Sequence, residues 1–433
     1  MISNAEWDDG NSFGSTFSNL FSFLPAQDIA NIYCRNGVPN TKSCGHFLSM
    51  GERHVARFLF KKVDFPVFDT SHVVQEREKA DDLASGSGKM SRFARKHRWL
   101  VLFWLRELLW GLSGWKKSKS LHSFVESFRP DLLFLPTYSY SYINKVALYL
   151  ADSYGLPIIS YASDDEYSYN PYRWSPFYRI DKLYQRKWIK RGIDRSHILY
   201  VISDIQREDY TEYFGDKCKV LTKGASFKEK PEELSVREPI KILYIGNIGT
   251  GRWQTLSLLS KEIASYNNGT ESFRLDIFTG SSCSKEMKES LSYSGTVLHG
   301  FISPSAIPAI IQKADVLLHV ESFNKKDAFA VHQSFSTKIV DYMSFGKCLL
   351  AIGPQDVASI FFLKSNDVAL TATTSEEIRD LLIQMQNSHG LLNEYAMKAW
   401  ETGKKSFDID VIHNMLLQDF ENVIFRARSA NIN

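Results

Sequence analysis

Short apolar runs alternate with helix-patterned stretches twice along this chain, which restricts it to α/β architectures. In the first half the pattern predicts strands over 131–135, 157–161 and 197–203. Helices are predicted over 138–154, 178–191 and 204–213. The stretch 226–239, SFKEKPEELSVREP, is polar, carries two prolines and has no apolar period, so it reads as a linker. The alternation then restarts, with strands predicted over 240–245, 273–278, 315–320 and 348–352. The helices between them are predicted over 253–266, 304–313 and 336–345. The chain is therefore read as a first unit 1–228, a linker 229–238, a second unit 239–405 and a helical tail 406–433 that crosses back onto the first unit. Continuous apolar strands between helices imply parallel sheets covered on both faces. Ligands of such sheets bind beyond the carboxyl ends of the strands, so the cleft between two facing units is the expected site.

Charge and composition exclude several classes. The 433 residues carry 52 Lys+Arg against 49 Asp+Glu, a net +3, whereas dedicated nucleic-acid binders are usually far more basic. Five cysteines without a CxxC pair argue against a disulfide scaffold and against a structural zinc site. The opening residues MISNAEWDDGNSFGS are polar and acidic, unlike a secretory leader, so a cytoplasmic setting is expected. No run reaches the length of an uncharged membrane span. The nearest, 99–115, is interrupted by Arg106 and Glu107 and flanked by SRFARKHR and KKSK, giving a basic, tryptophan-rich stretch over 91–119. It reads either as a core helix with basic ends in water or as a segment lying on an anionic bilayer.

Two loop–helix junctions carry the chemistry. In KILYIGNIGTGRWQTLSLLSKEI, from Lys241, an apolar strand runs into Gly246, Asn247, Gly249, Thr250 and Gly251, and a helix follows. Glycines there let backbone approach a ligand, and the first N–H groups of the helix attract anions. The spacing is GxxGxG, so the dinucleotide fingerprint GxGxxG is absent. Arg252 can present a bidentate fork to phosphate oxygens. The second junction is VHQSFSTKIVDYMSFGKCLLAIGP, from Val331. Ser336 is an N-cap candidate, and Thr337 and Lys338 occupy the first turn. A lysine there opposes the helix dipole, which suggests an anionic partner. Asp341 shares a face with Lys338 and suits a ribose diol. The plain alternatives are a turn with a surface arginine, and a Lys338–Asp341 surface pair of little energetic value.

This second segment resembles the S-x-K-x-x-E-Y-x-A-x-G-K-P signature of family 4 retaining glycosyltransferases, through Ser336, Lys338, Asp341, Tyr342, Ser344, Gly346 and Lys347. The resemblance spans most of the chain and is strongest over 197–354. It implies the GT-B fold, two facing Rossmann-like domains with a deep cleft. It implies that the donor ribose is held by Asp341, where the family has glutamate. The glutamate common eight positions earlier is Gln333 here, whose amide can still reach sugar hydroxyls. Gly300, Phe301 and Ile302 fall where the family packs the nucleobase. The implied activity is retaining transfer from a nucleotide-diphosphate sugar to a glycan or lipid-linked acceptor, in bacterial surface-polysaccharide synthesis.

On the acceptor side, Asp164, Asp165 and Glu166 follow a predicted strand, where acid/base or sugar-binding carboxylates belong. Asp165 is taken as catalytic with Arg252 and Lys338, and Asp164 and Glu166 as acceptor-binding. Gly14, in a loop like the one after the family's first strand, and His46 complete the acceptor candidates. No aspartate-plus-histidine motif stands beside the phosphate loop, so neither a metal nor a cofactor beyond the sugar nucleotide is expected. An epimerase of the same architecture and an inactive sugar-nucleotide-binding protein are the competing readings.

Overall fold

A computed structural model describes residues 1–58, 64–69 and 100–430. The first unit carries two four-stranded sheets. One runs in the order β1 (Ile2–Ser3), β2 (Ala30–Tyr33), β3 (His46–Ser49), β4 (Val67–Asp69), with only β4 antiparallel. The other is all parallel: β5 (Leu133–Pro136), β6 (Ile158–Ala162), β7 (Ser196–Val201), β8 (Cys218–Val220). β1 packs beside β5 across the seam between them. Strands β5 to β7 match the apolar runs because both their faces are covered. The first sheet escapes sequence reading for a physical reason. Its buried positions include Asn31 and Ser49, and Asn31 donates to Ser3 Oγ at 2.9 Å, so polarity is satisfied inside the sheet and the apolar period is broken.

The second unit is one six-stranded parallel sheet. Its strands are β9 (Ile240–Ile245), β10 (Phe273–Phe278), β11 (Thr296–His299), β12 (Val316–Val320), β13 (Cys348–Ile352) and β14 (Leu370–Ala372), in the order β11-β10-β9-β12-β13-β14. The order reverses between β9 and β12, which creates the crevice at which doubly wound sheets bind ligands. Helices Arg252–Asn267 and Thr337–Ser344 start at this carboxyl edge. The predicted 304–313 helix is a 3₁₀ turn, Pro304–Ala306, followed by the short helix Ile307–Gln312.

Two strands of chain join the units. Ala225 accepts from Ile409 N and donates to Phe407 O, both at 2.9 Å, so the outgoing and returning crossovers run side by side. Helix His389–Phe407 packs on β13 and on Thr337–Ser344. Helix Ile409–Ala430 then lies on the first unit. Its buried Asp419 accepts from Tyr200 OH at 2.7 Å and pairs with Lys219 at 2.5 Å. Phe420 packs between Phe21 and Phe134, and Arg428 reaches Asp131 at 2.6 Å. One apolar cluster thus runs from Phe17 and Tyr161 through Phe227 to Ile339 and Trp400, which fixes how the units face each other.

Candidate active site

At the end of β9, Gly246 holds a φ of 154°, and a Cβ there would stand 2.2 Å from Lys338 Nζ. The glycine is what lets that ammonium cross to the first junction. Lys338 Nζ donates to Ile245 O at 2.9 Å and lies 5.1 Å from the Tyr244 ring centre. Beyond Gly246 the loop is held by Asn247, whose Oδ1 accepts from Gly249 N at 2.6 Å and Ser281 Oγ at 3.1 Å. Thr250 and Gly251 both take left-handed backbone, φ 53° and 71°, to turn the chain into the helix that Arg252 begins. Ser336 stands at the N-cap of Thr337–Ser344, but its hydroxyl caps nothing. Its backbone N–H donates instead to Ser359 Oγ at 2.9 Å.

Gly246, Asn247, Arg252, His319, Val320, Ser336 and Lys338 line one cavity of about 240 Å³. The two junctions, 86 positions apart between Arg252 and Lys338 (338 − 252), therefore meet in one place. Burial, then the nearby Arg252 guanidinium, pushes the Lys338 ammonium down to about 8. Arg252 and Lys338 thus put two cationic side chains on one hollow, a setting that favours negative charge.

Glu321, which the sequence reading passed over, organises this site. It follows β12 directly, and only 3% of its side chain is exposed. Both its oxygens accept from Arg252, Nε to Oε2 and Nη2 to Oε1, each at 3.0 Å. Its backbone is pinned as well, since Thr255 Oγ1 donates to Glu321 O at 2.8 Å and Glu321 N donates to Ile352 O at 2.8 Å. His319 Nε2 is 3.3 Å from Oε1. Burial raises the Glu321 carboxyl, but His319 and Arg252 outweigh it and hold it below the usual range. Burial keeps His319 itself below its ordinary value. The position rule that singled out Asp164, a carboxylate just past a strand end, applies equally to Glu321.

The remaining donor candidates divide. Gly300, Phe301 and Ile302 follow β11 at the same carboxyl edge, two strands from β9. Phe301 is 78% exposed and lies over Gly280, a free aromatic face beside the crevice. Asp341 accepts from Lys223 Nζ at 2.6 Å, so its carboxylate is oriented by the end of the first unit. Gln333 is drawn elsewhere. Its Nε2 donates to Asp209 Oδ2 at 2.5 Å and its carbonyl accepts from Ser203 Oγ at 2.6 Å. It is a buried strut between the units and does not line the cavity.

The acceptor candidates are also sorted by geometry. Asp165, the expected catalytic carboxylate, is tied down. Its Oδ1 accepts from Tyr167 N, Ser168 N and Tyr210 OH at 2.9–3.1 Å, which makes it the organiser of its own turn. Glu166 accepts from Ser139 Oγ, and its carbonyl accepts from Lys182 Nζ at 2.8 Å. Asp164 is the one that faces the second unit, accepting from Ser334 Oγ at 3.3 Å. Its side chain still reaches solvent, yet the surrounding protein, with Glu166 next, raises its carboxyl above the usual range. Gly14 lies in helix Ser12–Leu20, where a Cβ would sit 2.0 Å from Asp8 O, so its close approach is to its own loop. His46 opens β3 at the far, amino end of the sheet and packs against Phe128, 5.4 Å between ring centres. It borders a larger hollow of about 980 Å³ whose walls, including Leu24, Phe124, Leu133 and Phe420, are mainly apolar. That hollow lies away from every loop at the carboxyl edge.

Among the described residues no group of three or more His, Cys, Asp or Glu is placed to hold a metal ion. Residues 91–99 of the basic stretch lie outside the described residues. Within the rest, Trp110 and Trp115 are buried while Leu105, Leu108 and Leu112 are exposed, so one face of helix Leu100–Leu112 is core and the other is not. No described helix is long and apolar enough to cross a membrane.

Two Rossmann-like units facing a cleft, with this hollow on its second-unit wall, define the GT-B architecture. No protein-family model matches the chain, and no curated protein does. Solved structures do. Sucrose-phosphate synthase from Thermosynechococcus elongatus superposes with a TM-score of 0.60 at 11% identity, covering 98% of this chain and 99% of that one. The Anabaena protein HepE, solved with UDP and glucose, gives 0.59 at 11% identity, covering 97% and 99%. Against Staphylococcus aureus TarM the TM-score is 0.46 at 12% identity, and the chain spans about half the length of that protein, 51%. At these identities the likeness is one of fold.

Proposed function

We propose that this protein is a glycosyltransferase that moves a sugar from a nucleoside-diphosphate donor to a hydroxyl of a glycan or lipid-linked acceptor. The observation that carries the reading is the convergence of Arg252, Lys338 and two loop–helix junctions on one hollow at the carboxyl edge of the second sheet. A diphosphate satisfies both cations and the helix N–H groups together. The Anabaena structure of the same fold, which holds UDP and glucose, supports a nucleotide of this kind. In the proposed reaction the acceptor oxygen bonds to the anomeric carbon as that carbon's bond to the β-phosphate oxygen breaks. The acceptor proton leaves with the departing diphosphate. Negative charge grows on that phosphate, and Arg252 and Lys338 stabilise it where water is largely excluded. Glu321 holds the guanidinium in place before substrate arrives. Phe301 offers a stacking face for the base, Asp341 an acceptor for the ribose hydroxyls, and Asp164 an acceptor for the incoming hydroxyl. Retention of configuration, and a place in bacterial surface-polysaccharide assembly, follow from the family 4 resemblance.

The test is turnover of a panel of nucleoside-diphosphate sugars with and without glycan and lipid-linked acceptors, with the anomeric configuration of the product read by NMR. Acceptor-dependent release of the nucleoside diphosphate, lost in Arg252→Ala and Lys338→Ala, is the expected result. Conversion of the donor sugar without acceptor would make the protein an epimerase. Binding without any conversion would make it a sugar-nucleotide-binding protein.

A further inference from the structure

Helix Leu100–Leu112 does not stand alone on the surface. Helix Pro176–Asp194 lies beside it, with the Trp104 and Tyr184 ring centres 5.1 Å apart. On the second helix Phe177, Ile180, Leu183, Lys187 and Arg191 recur every three or four residues and so share one side. Phe177 is 70% exposed, and the preceding Trp174 is 85% exposed. On the first helix Trp104, Leu105, Leu108 and Leu112 form a matching exposed stripe. Few isolated apolar side chains on a surface need explaining, but two adjoining helices with this many do.

Among the described residues, the unpaired exposed charges at the margins of this face are basic. Lys116, Lys117, Lys119, Arg179, Lys187 and Arg191 are exposed at its margins. The acidic residues of the two helices are already engaged: Glu107 is buried with Ser141 and Lys145, Asp181 accepts from Gln185, and Asp194 pairs with Lys190. We infer that these two helices form a docking face for an anionic lipid bilayer, with the tryptophans and Phe177 at the headgroup level and the lysines and arginines on the lipid phosphates. A second copy of the chain fits less well, because a two-fold contact through this face would set the same basic margins against each other. The face also runs to the mouth of the cleft, where the Tyr172 ring stands 5.8 Å from Phe329 of the second unit. Docking itself is independent of the transferase reading. That the bilayer presents the acceptor rests on it.

The full chain is to be sedimented with vesicles of phosphatidylcholine alone and of phosphatidylcholine mixed with phosphatidylglycerol. Binding to the anionic vesicles only, weakening as salt rises, is the expected result. Lys117→Glu with Lys187→Glu should lower partitioning by at least about fivefold per lysine. Ile180→Asp with Leu183→Asp should lower it by on the order of 100-fold. All four sites are exposed, so unchanged circular dichroism and melting check that the fold is intact. Absence of binding to anionic vesicles, or binding by both variants as strong as that of the unaltered protein, overturns the proposal. So does a concentration-dependent dimer that the Ile180→Asp, Leu183→Asp protein no longer forms. Turnover of a soluble acceptor by these variants then separates loss of docking from loss of chemistry.

Discussion

Replacing Lys338 with methionine should make the empty protein more stable and its nucleotide binding weaker. The Lys338 ammonium titrates at about 8 in the folded chain against 10.5 for a free lysine, through burial and then Arg252. That difference corresponds to roughly 3 kcal/mol spent holding the charge in the fold below about pH 8. Between about 8 and 10.5 the unfolded chain binds this proton and the folded chain does not, so the native state gains stability as pH rises through that window. Methionine keeps the stem and removes the charge. Its variant should melt higher at neutral pH, with the advantage fading above pH 8. Nucleotide binding should move the opposite way, because a charge-assisted contact to phosphate is lost, at about 1.5–3 kcal/mol or about 10- to 100-fold in affinity. In the wild type, Lys338 loses its proton as pH rises through about 8, so UDP affinity should fall between pH 7 and pH 9, by up to about tenfold. Calorimetric titration of UDP across these pH values, beside scanning calorimetry of both proteins, measures all three effects. A wild-type affinity flat in pH, together with a methionine variant that binds UDP normally, would refute the anion site.

Glu321→Gln should cut turnover at least about tenfold while leaving the donor KM less affected, since the guanidinium it aims acts on charge that grows during transfer; Glu321→Ala, which strands a buried arginine, should also cost about 3–5 kcal/mol of stability in denaturant titrations. Asp165→Asn and Asp164→Asn should separate cleanly: the first loses about 1–3 kcal/mol through its three hydrogen bonds, whereas the second melts normally and loses acceptor turnover. If Asp165→Asn melts like the wild type and alone abolishes activity, the assignment of the two carboxylates is reversed. Asp419→Ala should cost about 2–4 kcal/mol, because Tyr200 OH loses its buried partner, and limited proteolysis should then release helix Ile409–Ala430 first.

Local pattern found four of the six strands of the second unit and missed the short β11 and β14. The strands at 240–245 and 348–352 were legible because strands covered on both faces are apolar along most of their length, and 273–278 because its apolar residues alternate with Arg274 and Asp276. The helices after the two junctions were legible from their glycine-rich and N-cap starts. The same logic brought Arg252 and Lys338 to one hollow, since both begin helices at the carboxyl edge of neighbouring crossovers. Three-dimensional packing alone decided the rest. Gln333 was claimed by Asp209, 124 positions away, and Asp165 by Tyr210, 45 positions away. His46 was sent to the far end of its sheet by a strand whose buried Asn31 and Ser49 neighbours hide its apolar period. Glu321 became the clamp on Arg252 only because β12 lies next to β9. Periodicity reports whether a side chain is turned inward. Which group it meets there is set by contacts between residues far apart in the chain, and those exist only once the sheets have formed.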